Sequence, residues 1–284
     1  MFTNCNQIIT GEKIQGIADV YIGTTYYFNY NPFIVRQAYK HKHLSDFDNK
    51  IMYDNPRIVF CYGDLINEFE DIIHLFSNPF ILITHNSDKN IEKCSTVFNI
   101  LNFDKLIRWH AQNVGYEHEK LYSVPIGIAN QQWTHGNLKI YQHIIENYDI
   151  DSIKNKKIFM NFKIETNIEK RMKCYEELHK YIPFLPVETA FGNITRMIEY
   201  KFCICPEGNG FDTHRLWECF YLRIVPIVLR NKFTENIQKT TGFPMILLDF
   251  WQDVKRIKFD YDSFDFKNCD EKLNFNYYVK QIIS

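Results

Sequence analysis

Apolar residues follow two alternating patterns along most of the chain. Short apolar runs bounded by turn residues are typical of buried strands, and apolar residues three and four apart are typical of amphipathic helices. The runs that predict strands cover residues 57–62, 79–84, 105–110, 121–126, 157–161, 200–205, 224–229 and 245–248. Helical spacing covers residues 65–76, 138–147, 168–181, 213–222 and 272–283. Repeated strand–helix units predict an α/β fold, with parallel sheets covered by helices on both faces.

A polar stretch from Trp133 to about Asn155 divides this series into two halves. We place a domain boundary there, with one domain over 1–150 and a second over 151–284. The tail is polar and aromatic, and we expect its last helix to pack back on the first domain. Ligands of such sheets bind outside the carboxyl ends of the strands, so the loops after the strands are the first candidates for a site.

Charge and cysteine content narrow the functional classes. The net charge of -1 over 284 residues creates no overall field that favours nucleic acid. The N-terminus lacks a basic region followed by an apolar core, and no window approaches the roughly 20 apolar residues of a membrane span. We therefore expect a cytoplasmic protein with neither a membrane span nor a nucleic-acid partner. The eight cysteines are scattered, and Cys203 and Cys205 are poorly spaced for a zinc knuckle, so we expect buried thiols rather than a metal site.

The segment 205–218 carries the clearest chemistry, with the sequence Cys-Pro-Glu-Gly-Asn-Gly-Phe-Asp-Thr-His-Arg-Leu-Trp-Glu. It leaves a predicted strand, passes two glycines and enters a predicted helix. Gly208 and Gly210 would allow positive φ and a close approach of the backbone to a ligand. Asp212 or Thr213 would cap the helix, whose first amides and dipole favour an anion.

Two charged residues on that helix fit the same ligand. Arg215 in the first turn can fork onto phosphate oxygens. Glu218 lies three residues later on the same face, where a carboxylate suits the paired hydroxyls of a ribose. Together they match the needs of a nucleoside diphosphate. An ordinary strand–helix turn with a surface Arg–Glu pair would show the same spacing, and the segment is neither a dinucleotide fingerprint nor a P-loop.

The block 205–228, which ends in Ile-Val-Pro-Ile-Val, resembles the signature of the exostosin-like glycosyltransferases. Weaker similarity to a soluble, viral or bacterial-type branch is found in Thr84-His-Asn-Ser-Asp88, Trp109-His-Ala-Gln-Asn113, Pro125-Ile-Gly127 and Lys157-Ile-Phe-Met-Asn-Phe162 followed by Arg171. The resemblance covers roughly residues 58–254. One departure is Leu222-Arg223, where members usually have a small residue, so the helix is expected to end without a left-handed cap.

The resemblance implies a GT-B architecture, in which two Rossmann-like domains face a cleft, the first on the acceptor side and the second binding the donor. It implies inverting transfer from a UDP-sugar, UDP-xylose being favoured for a short member, to a glycan hydroxyl in glycoprotein glycan synthesis. It implies no required metal or cofactor and, for a viral protein, action in the host cytoplasm. The donor-binding residues implied by position are Gly208, Asn209, Gly210, Asp212, Thr213, His214, Arg215, Glu218, Asn161, Lys163 and Arg171.

Inverting transfer also needs a base that takes the proton of the acceptor hydroxyl. Asp64, His85, Asp88 and His110 each stand at or just after the end of a predicted strand, where side chains reach a ligand. Asp64 and Asp88 are the favoured candidates, followed by His85. A helix cap or a turn hydrogen bond would explain each of these residues equally well.

Three other functions remain open. Asp46-Phe-Asp48, Asp149-Ile-Asp151 and Asp260-Tyr-Asp262 fit the Asp-x-Asp clamp of a metal-dependent glycosyltransferase, although none follows a clear apolar strand. A non-catalytic module that binds a nucleotide sugar or a glycan would need the same loop. A hydrolase on a similar sheet would need a nucleophile elbow or a metal-ligand cluster, and the sequence offers neither.

Overall fold

The computed structural model describes residues 4–23, 37–40 and 56–284, with backbone alone at 37–40. They form two compact units. The N-terminal unit comprises Ile9–Ile126 and Tyr278–Ser284, and the C-terminal unit comprises Gly127–Tyr277 together with the residues before Ile9. Each unit contains one parallel sheet, which confirms the predicted α/β class. None of the helices in the described ranges is both long and apolar enough to cross a membrane.

The units divide at residues 126 and 127, whereas the sequence placed a domain boundary at 150. The polar stretch used for that boundary contains a helix, Leu138–Asn147, with Ile140, Tyr141 and Ile144 buried on one face. The helix belongs to the C-terminal unit, where the His143 ring lies 5.5 Å from another aromatic ring of that unit. A single buried stripe among polar residues explains why the stretch reads as a linker.

The described residues of the N-terminal unit form a sheet of six parallel strands in the order β2-β1-β3-β4-β5-β6. Its strands are β1 Val20–Gly23, β2 Gln37–Lys40, β3 Ile58–Tyr62, β4 Phe80–His85, β5 Leu106–Ala111 and β6 Leu121–Ser123. Its helices are α1 Gly11–Gln15, α2 Ile66–Ile72 and α3 Ser95–Leu101. The chain moves from β1 to β2 in one direction and resumes at β3 on the other side of β1. That reversal is the topological switch point at which α/β sheets bind ligands.

The core of the N-terminal unit surrounds β3 and β4, in which every residue is buried. Such continuous apolar runs are expected where helices cover both faces of a parallel sheet. Trp109 is fully buried, and its indole Nε1 donates to Thr84 Oγ1 at 2.8 Å. Burial of an indole requires such a partner for its N–H.

The sheet of the C-terminal unit has four parallel strands in the order β10-β9-β8-β7. Its strands are β7 Lys156–Phe159, β8 Tyr200–Ile204, β9 Val225–Leu229 and β10 Ile246–Leu248. The helices that follow residue 126 are α4 Leu138–Asn147, α5 Ile168–Leu178, α6 Ala190–Met197, α7 His214–Tyr221, α8 Lys232–Thr241 and α9 Phe275–Ile283. Phe202 and Ile204 of β8 pack into the main apolar core with Trp251. Because side chains alternate along a strand, Cys203 and Cys205 point to the other face, toward α7.

The end of α7 corrects one expectation from the sequence. Arg223 has a φ of 55° and takes the left-handed position that glycine usually fills. The Ile224 amide donates to the Cys219 carbonyl at 2.8 Å, and the Arg223 amide donates to Phe220 at 3.3 Å. These two bonds form a Schellman motif. The helix therefore ends with a left-handed cap after all, although the residue in it is an arginine.

Candidate functional site

The segment 205–213 joins β8 to α7, as predicted. Thr213 is the N-cap residue of α7, with an extended backbone at φ -132° and ψ 143°, and its side chain makes no cap hydrogen bond. The carboxylate of Asp212 is buried and accepts a 2.7 Å hydrogen bond from the Trp217 indole. The first turn of α7 thus lacks the oxygen that a capping side chain at Thr213 would supply.

The glycines of this loop do not have the predicted conformation. Among the described glycines, positive φ occurs at Gly127 and Gly242, so the prediction for Gly208 and Gly210 is wrong. The chain enters α7 through the extended Thr213 and needs no left-handed turn. A Cβ atom on Gly208 would meet Arg171 Nη2 at 3.5 Å and a Thr213 methyl at 3.6 Å. The missing side chain therefore leaves space beside the Arg171 guanidinium and the start of α7.

Side chains of α5 hold the glycine loop by its carbonyls. Asn167 Nδ2 donates to the Gly208 carbonyl at 2.7 Å, and Arg171 Nε donates to the Glu207 carbonyl at 2.9 Å. Arg171 Nη1 donates to the Lys163 carbonyl at 2.8 Å, so one guanidinium bridges the loops after β7 and β8. The carboxylate of Glu207 pairs with Lys170. The sequence resemblance implied that Arg171 belongs to the donor site, and the structure shows that it braces the loop.

Arg215 and Glu218 form an ion pair along α7, with 3.0 Å between Arg215 Nε and Glu218 Oε2. The Arg215 side chain is 20% exposed, and its guanidinium stacks 5.5 Å from the centre of the Phe159 ring. Its Nη1 lies 3.0 Å from Met197 Sδ. The Arg–Glu pair expected of this helix is thus present, but both side chains are largely buried.

Positive charge exceeds negative charge around this pair. Burial lowers the pKa of Arg171, and the nearby Arg215 guanidinium lowers it further. Two guanidiniums that repel each other across a partly buried site favour a polyanion between them. Lys163 is exposed and adds a third positive charge to the surroundings of Arg215 and Glu218. Among these four side chains, Glu218 supplies the single negative charge.

Two residues that the sequence did not single out complete the neighbourhood. The His135 ring lies 5.9 Å from the His214 ring and is stacked 6.4 Å from the exposed Trp133 ring. His135 is an exposed residue, yet the partial burial of its ring is the main cause that lowers its pKa; Glu218 opposes this, while the positive charges of Lys163 and Arg215 lower the pKa further. The lowered pKa favours the neutral ring. In the sequence, the only hint of these two residues is that Trp133 and His135 stand two apart within the polar stretch.

Two further predicted residues have clear structural partners. His214 Nδ1 lies 2.8 Å from the Gly127 carbonyl, which fixes the proton on that nitrogen. Asn161 is buried, and its Nδ2 donates to the carbonyls of Leu185 at 2.9 Å and Pro186 at 2.8 Å. Asn209 is exposed at the tip of the glycine loop. His214 and Asn161 thus each hold a neighbouring loop of the C-terminal unit by its carbonyl groups.

The bases predicted from the sequence all lie in the N-terminal unit. Asp64 is exposed after β3, at the switch point of the sheet, and accepts a 2.7 Å hydrogen bond from Ser87. Asp88 is exposed one residue later in the loop after β4. His85 is buried, with Nε2 3.0 Å from the Pro125 carbonyl and Nδ1 2.8 Å from the Asn86 amide. Both ring nitrogens of His85 are therefore already used within the unit.

A buried carboxylate lies near the same strand ends and was not predicted from the sequence. Glu12 of α1 is fully buried. The preceding residue, Gly11, is so close to β4 that a Cβ atom there would stand 2.9 Å from His85 Nδ1. The helix has five residues, too few for the apolar spacing that reveals a helix in a sequence.

His110 is buried at the end of β5, where its ring stacks 5.2 Å from that of Tyr122. Its Nε2 atom has no hydrogen-bond partner among the described residues. Burial lowers its pKa to about 4, with a smaller contribution from the positive charge of Arg108. His110 is thus a neutral side chain of the folded protein.

The pKa of His110 predicts how stability responds to acid. The unfolded chain, with an ordinary histidine pKa, binds the proton between pH 6.5 and 4 while the folded chain does not. The contribution of the neutral ring to the free energy of unfolding is complete above pH 6.5. It is lost as the pH falls, by about 2 kcal/mol at pH 5. Urea unfolding of a His110→Leu variant should show a flatter pH dependence than the wild type. The exposed His74→Gln serves as control, and an unchanged slope in His110→Leu would refute the assignment.

The Asp-x-Asp sequences do not lie at a strand end where the structure describes them. Asp149 and Asp151 are exposed in a turn, where Asp149 Oδ1 accepts from the Asp151 amide at 3.3 Å. Asp260 and Asp262 are exposed around a short 3-10 helix. The third sequence, 46–48, lies outside the described residues.

Comparison with known proteins gives no match to a family model and no match to a curated protein. The function therefore has to be argued from the loop 205–213, α7 and the side chains around them.

Proposed function

We propose that this protein is an inverting glycosyltransferase that takes its sugar from a UDP-sugar, bound at the start of α7. The observation that carries the proposal is the pair of guanidiniums, Arg171 and Arg215, beside the N-terminal end of α7, where the Thr213 side chain makes no cap hydrogen bond. A helix N-terminus and paired arginines are suited to a diphosphate. Gly208 leaves room for such a group against Arg171 and Thr213.

The other parts of the donor fit the remaining side chains. Glu218 supplies a carboxylate for the ribose hydroxyls. One of its oxygens stays paired with Arg215, so the ribose would share the carboxylate with that side chain. The exposed Trp133 ring, stacked on His135, offers a flat apolar surface for a base or a sugar. As the sugar–phosphate bond breaks, negative charge grows on the leaving diphosphate, and fixed positive charges stabilise it there.

The finer points of the proposal rest on the sequence resemblance. They are the exostosin-like family, the GT-B architecture, UDP-xylose as the favoured donor, a glycan hydroxyl as acceptor, no required metal and a cytoplasmic location. Asp64 and Asp88 stay predicted bases. A non-catalytic module for nucleotide sugars would use the same side chains for binding. A measurement of turnover distinguishes it from the enzyme.

The direct test is a screen of UDP-sugars for binding and for slow donor hydrolysis by the wild-type protein. We expect UDP and at least one UDP-sugar to bind and that sugar to be released, with no loss of activity after chelation. If a UDP-sugar binds but no sugar is released or transferred, with or without glycan acceptors, the non-catalytic module is favoured. Loss of activity on chelation that Mg²⁺ or Mn²⁺ restores would favour the metal-dependent alternative. No binding of any uridine nucleotide would refute the proposal.

His135 is a base candidate in the same unit as Arg215, because its lowered pKa keeps the ring neutral and able to accept a proton. We expect kcat to rise with pH along a limb centred below pH 6.5. His135→Asn should lower kcat roughly 100-fold and abolish that limb. The exposed His143→Asn is the matched control. An unchanged limb in His135→Asn would assign the proton transfer to another residue.

A further inference from the structure

Three thiols meet behind the glycine loop. Cys203 lies on β8, Cys205 directly follows that strand, and Cys219 lies on α7. All three side chains are buried, and their sulfur atoms lie within 4.8 Å of one another. The Sγ atoms of Cys205 and Cys219 are 3.6 Å apart. Among the described residues, this is the group of three or more histidine, cysteine or acidic side chains close enough to share a metal ion.

The spacing of these sulfurs suits a shared metal ion. Zinc–thiolate bonds of about 2.3 Å place tetrahedral or trigonal ligand sulfurs roughly 3.8–4.0 Å apart. The observed 3.6 Å pair and the 4.8 Å limit bracket that range. The sequence predicts buried thiols here, since Cys203 and Cys205 share a strand face but are poorly spaced for a zinc knuckle. The third ligand comes from the helix packed on that face, which sequence spacing cannot show.

Two basic side chains stand beside the three sulfurs. The Arg215 guanidinium is close enough for its charge to act on all three thiols. Lys154 is buried near Cys219. Its ammonium donates to the Leu222 carbonyl at 2.9 Å. Three core thiols that served only as apolar filling would need no cations beside them.

We propose that Cys203, Cys205 and Cys219 bind one thiophilic metal ion, Zn²⁺ or Cu⁺, as three thiolates. Thiolates are the protein ligands that select these two ions. Each sulfur that carries a proton releases it on binding, so uptake is accompanied by proton release. The bound ion ties the end of β8 to α7 and thereby fixes both ends of the loop 205–213. This site adjoins the donor site, since Arg215 stands beside both, and it does not depend on the proposed function.

The test uses full-length, reduced protein with its metal removed. Zn²⁺ and Cu⁺ are titrated in separate arms against a chromophoric chelator, and we expect one ion per chain in at least one arm. The arm with uptake identifies the ion. Cys219→Ala and Cys203→Ala should weaken binding more than roughly 100-fold, since even indirect supports of a metal ligand contribute 10–100-fold. Cys174→Ala removes another buried thiol of the C-terminal unit and should bind as the wild type does.

Alkylation of the wild-type protein makes the result independent of how well the variants fold. In the presence of the ion, Cys203, Cys205 and Cys219 should be protected from alkylation during partial unfolding, while the exposed Cys94 stays reactive. Protection of a different set of cysteines would overturn the proposal. So would uptake of less than one ion in both arms, or equal binding by Cys219→Ala and the wild type.

Discussion

Replacing Arg215 with alanine is expected to lower kcat/KM for UDP-sugar turnover on the order of 1000-fold. The guanidinium stands in the first turn of α7, where the diphosphate is proposed to bind, and Arg171 alone would remain. The loss should affect binding of UDP as well as kcat, because the diphosphate is charged both before and after the bond breaks. Steady-state kinetics and UDP titration measure the two parts. Arg215→Lys keeps the positive charge but loses the bidentate geometry of the guanidinium. Its kcat/KM and its affinity for UDP should lie between those of the wild type and the alanine variant.

Structural damage has to be separated from the lost contact. Without Arg215, the buried carboxylate of Glu218 loses its ion-pair partner, so the alanine variant should also be less stable. Arg215→Ala with Glu218→Gln removes that unpaired charge and should restore stability but not activity. Arg256→Ala removes an exposed arginine of the same unit and should have no effect on turnover. If folded Arg215→Ala binds UDP and turns over normally, the donor site is elsewhere.

Replacing Arg223 with alanine is expected to destabilise the protein by about 3–5 kcal/mol. The side chain is buried, and its guanidinium donates to the Phe266 carbonyl at 2.7 Å and to Asp270 at 2.6 Å. Its own carbonyl accepts from the Tyr261 hydroxyl, so Arg223 connects the end of α7 to the segment 261–270. The alanine variant loses these side-chain bonds and keeps the left-handed backbone. Urea unfolding measures the loss.

Glycine at position 223 separates the backbone from the side chain. A non-glycine residue in the left-handed region costs about 1–2 kcal/mol, which Arg223→Gly avoids while losing the same side-chain bonds. We therefore expect Arg223→Gly to be more stable than Arg223→Ala by about 1 kcal/mol and less stable than the wild type. Equal stability of the two variants would show that the backbone at 223 is not strained. Wild-type stability in both would show that the bonds to Phe266 and Asp270 contribute nothing.

The sequence by itself determined the class of fold. Strands are present at all eight predicted positions, and the helix predicted at 138–147 has those bounds in the structure. These elements carry long apolar runs or a clear apolar stripe. Because such residues are buried in any parallel sheet with its covering helices, the pattern alone predicts them. The elements that were missed are short or mostly polar, among them α1, β1, α3, α6 and α8. Their positions depend on what they pack against.

The sequence also located the loop 205–213 and its arginine, because a strand, a glycine-rich turn and a charged helix are consecutive in the chain. Only the tertiary structure decided what surrounds them. His135, Lys154 and Cys219 reach this neighbourhood from separate elements, and no local spacing predicts such a meeting. The same is true of the buried Arg223 guanidinium, whose hydrogen-bond partners lie more than 40 residues away in the chain. Local propensity sets the elements, whereas charge pairing and packing between distant segments set the site.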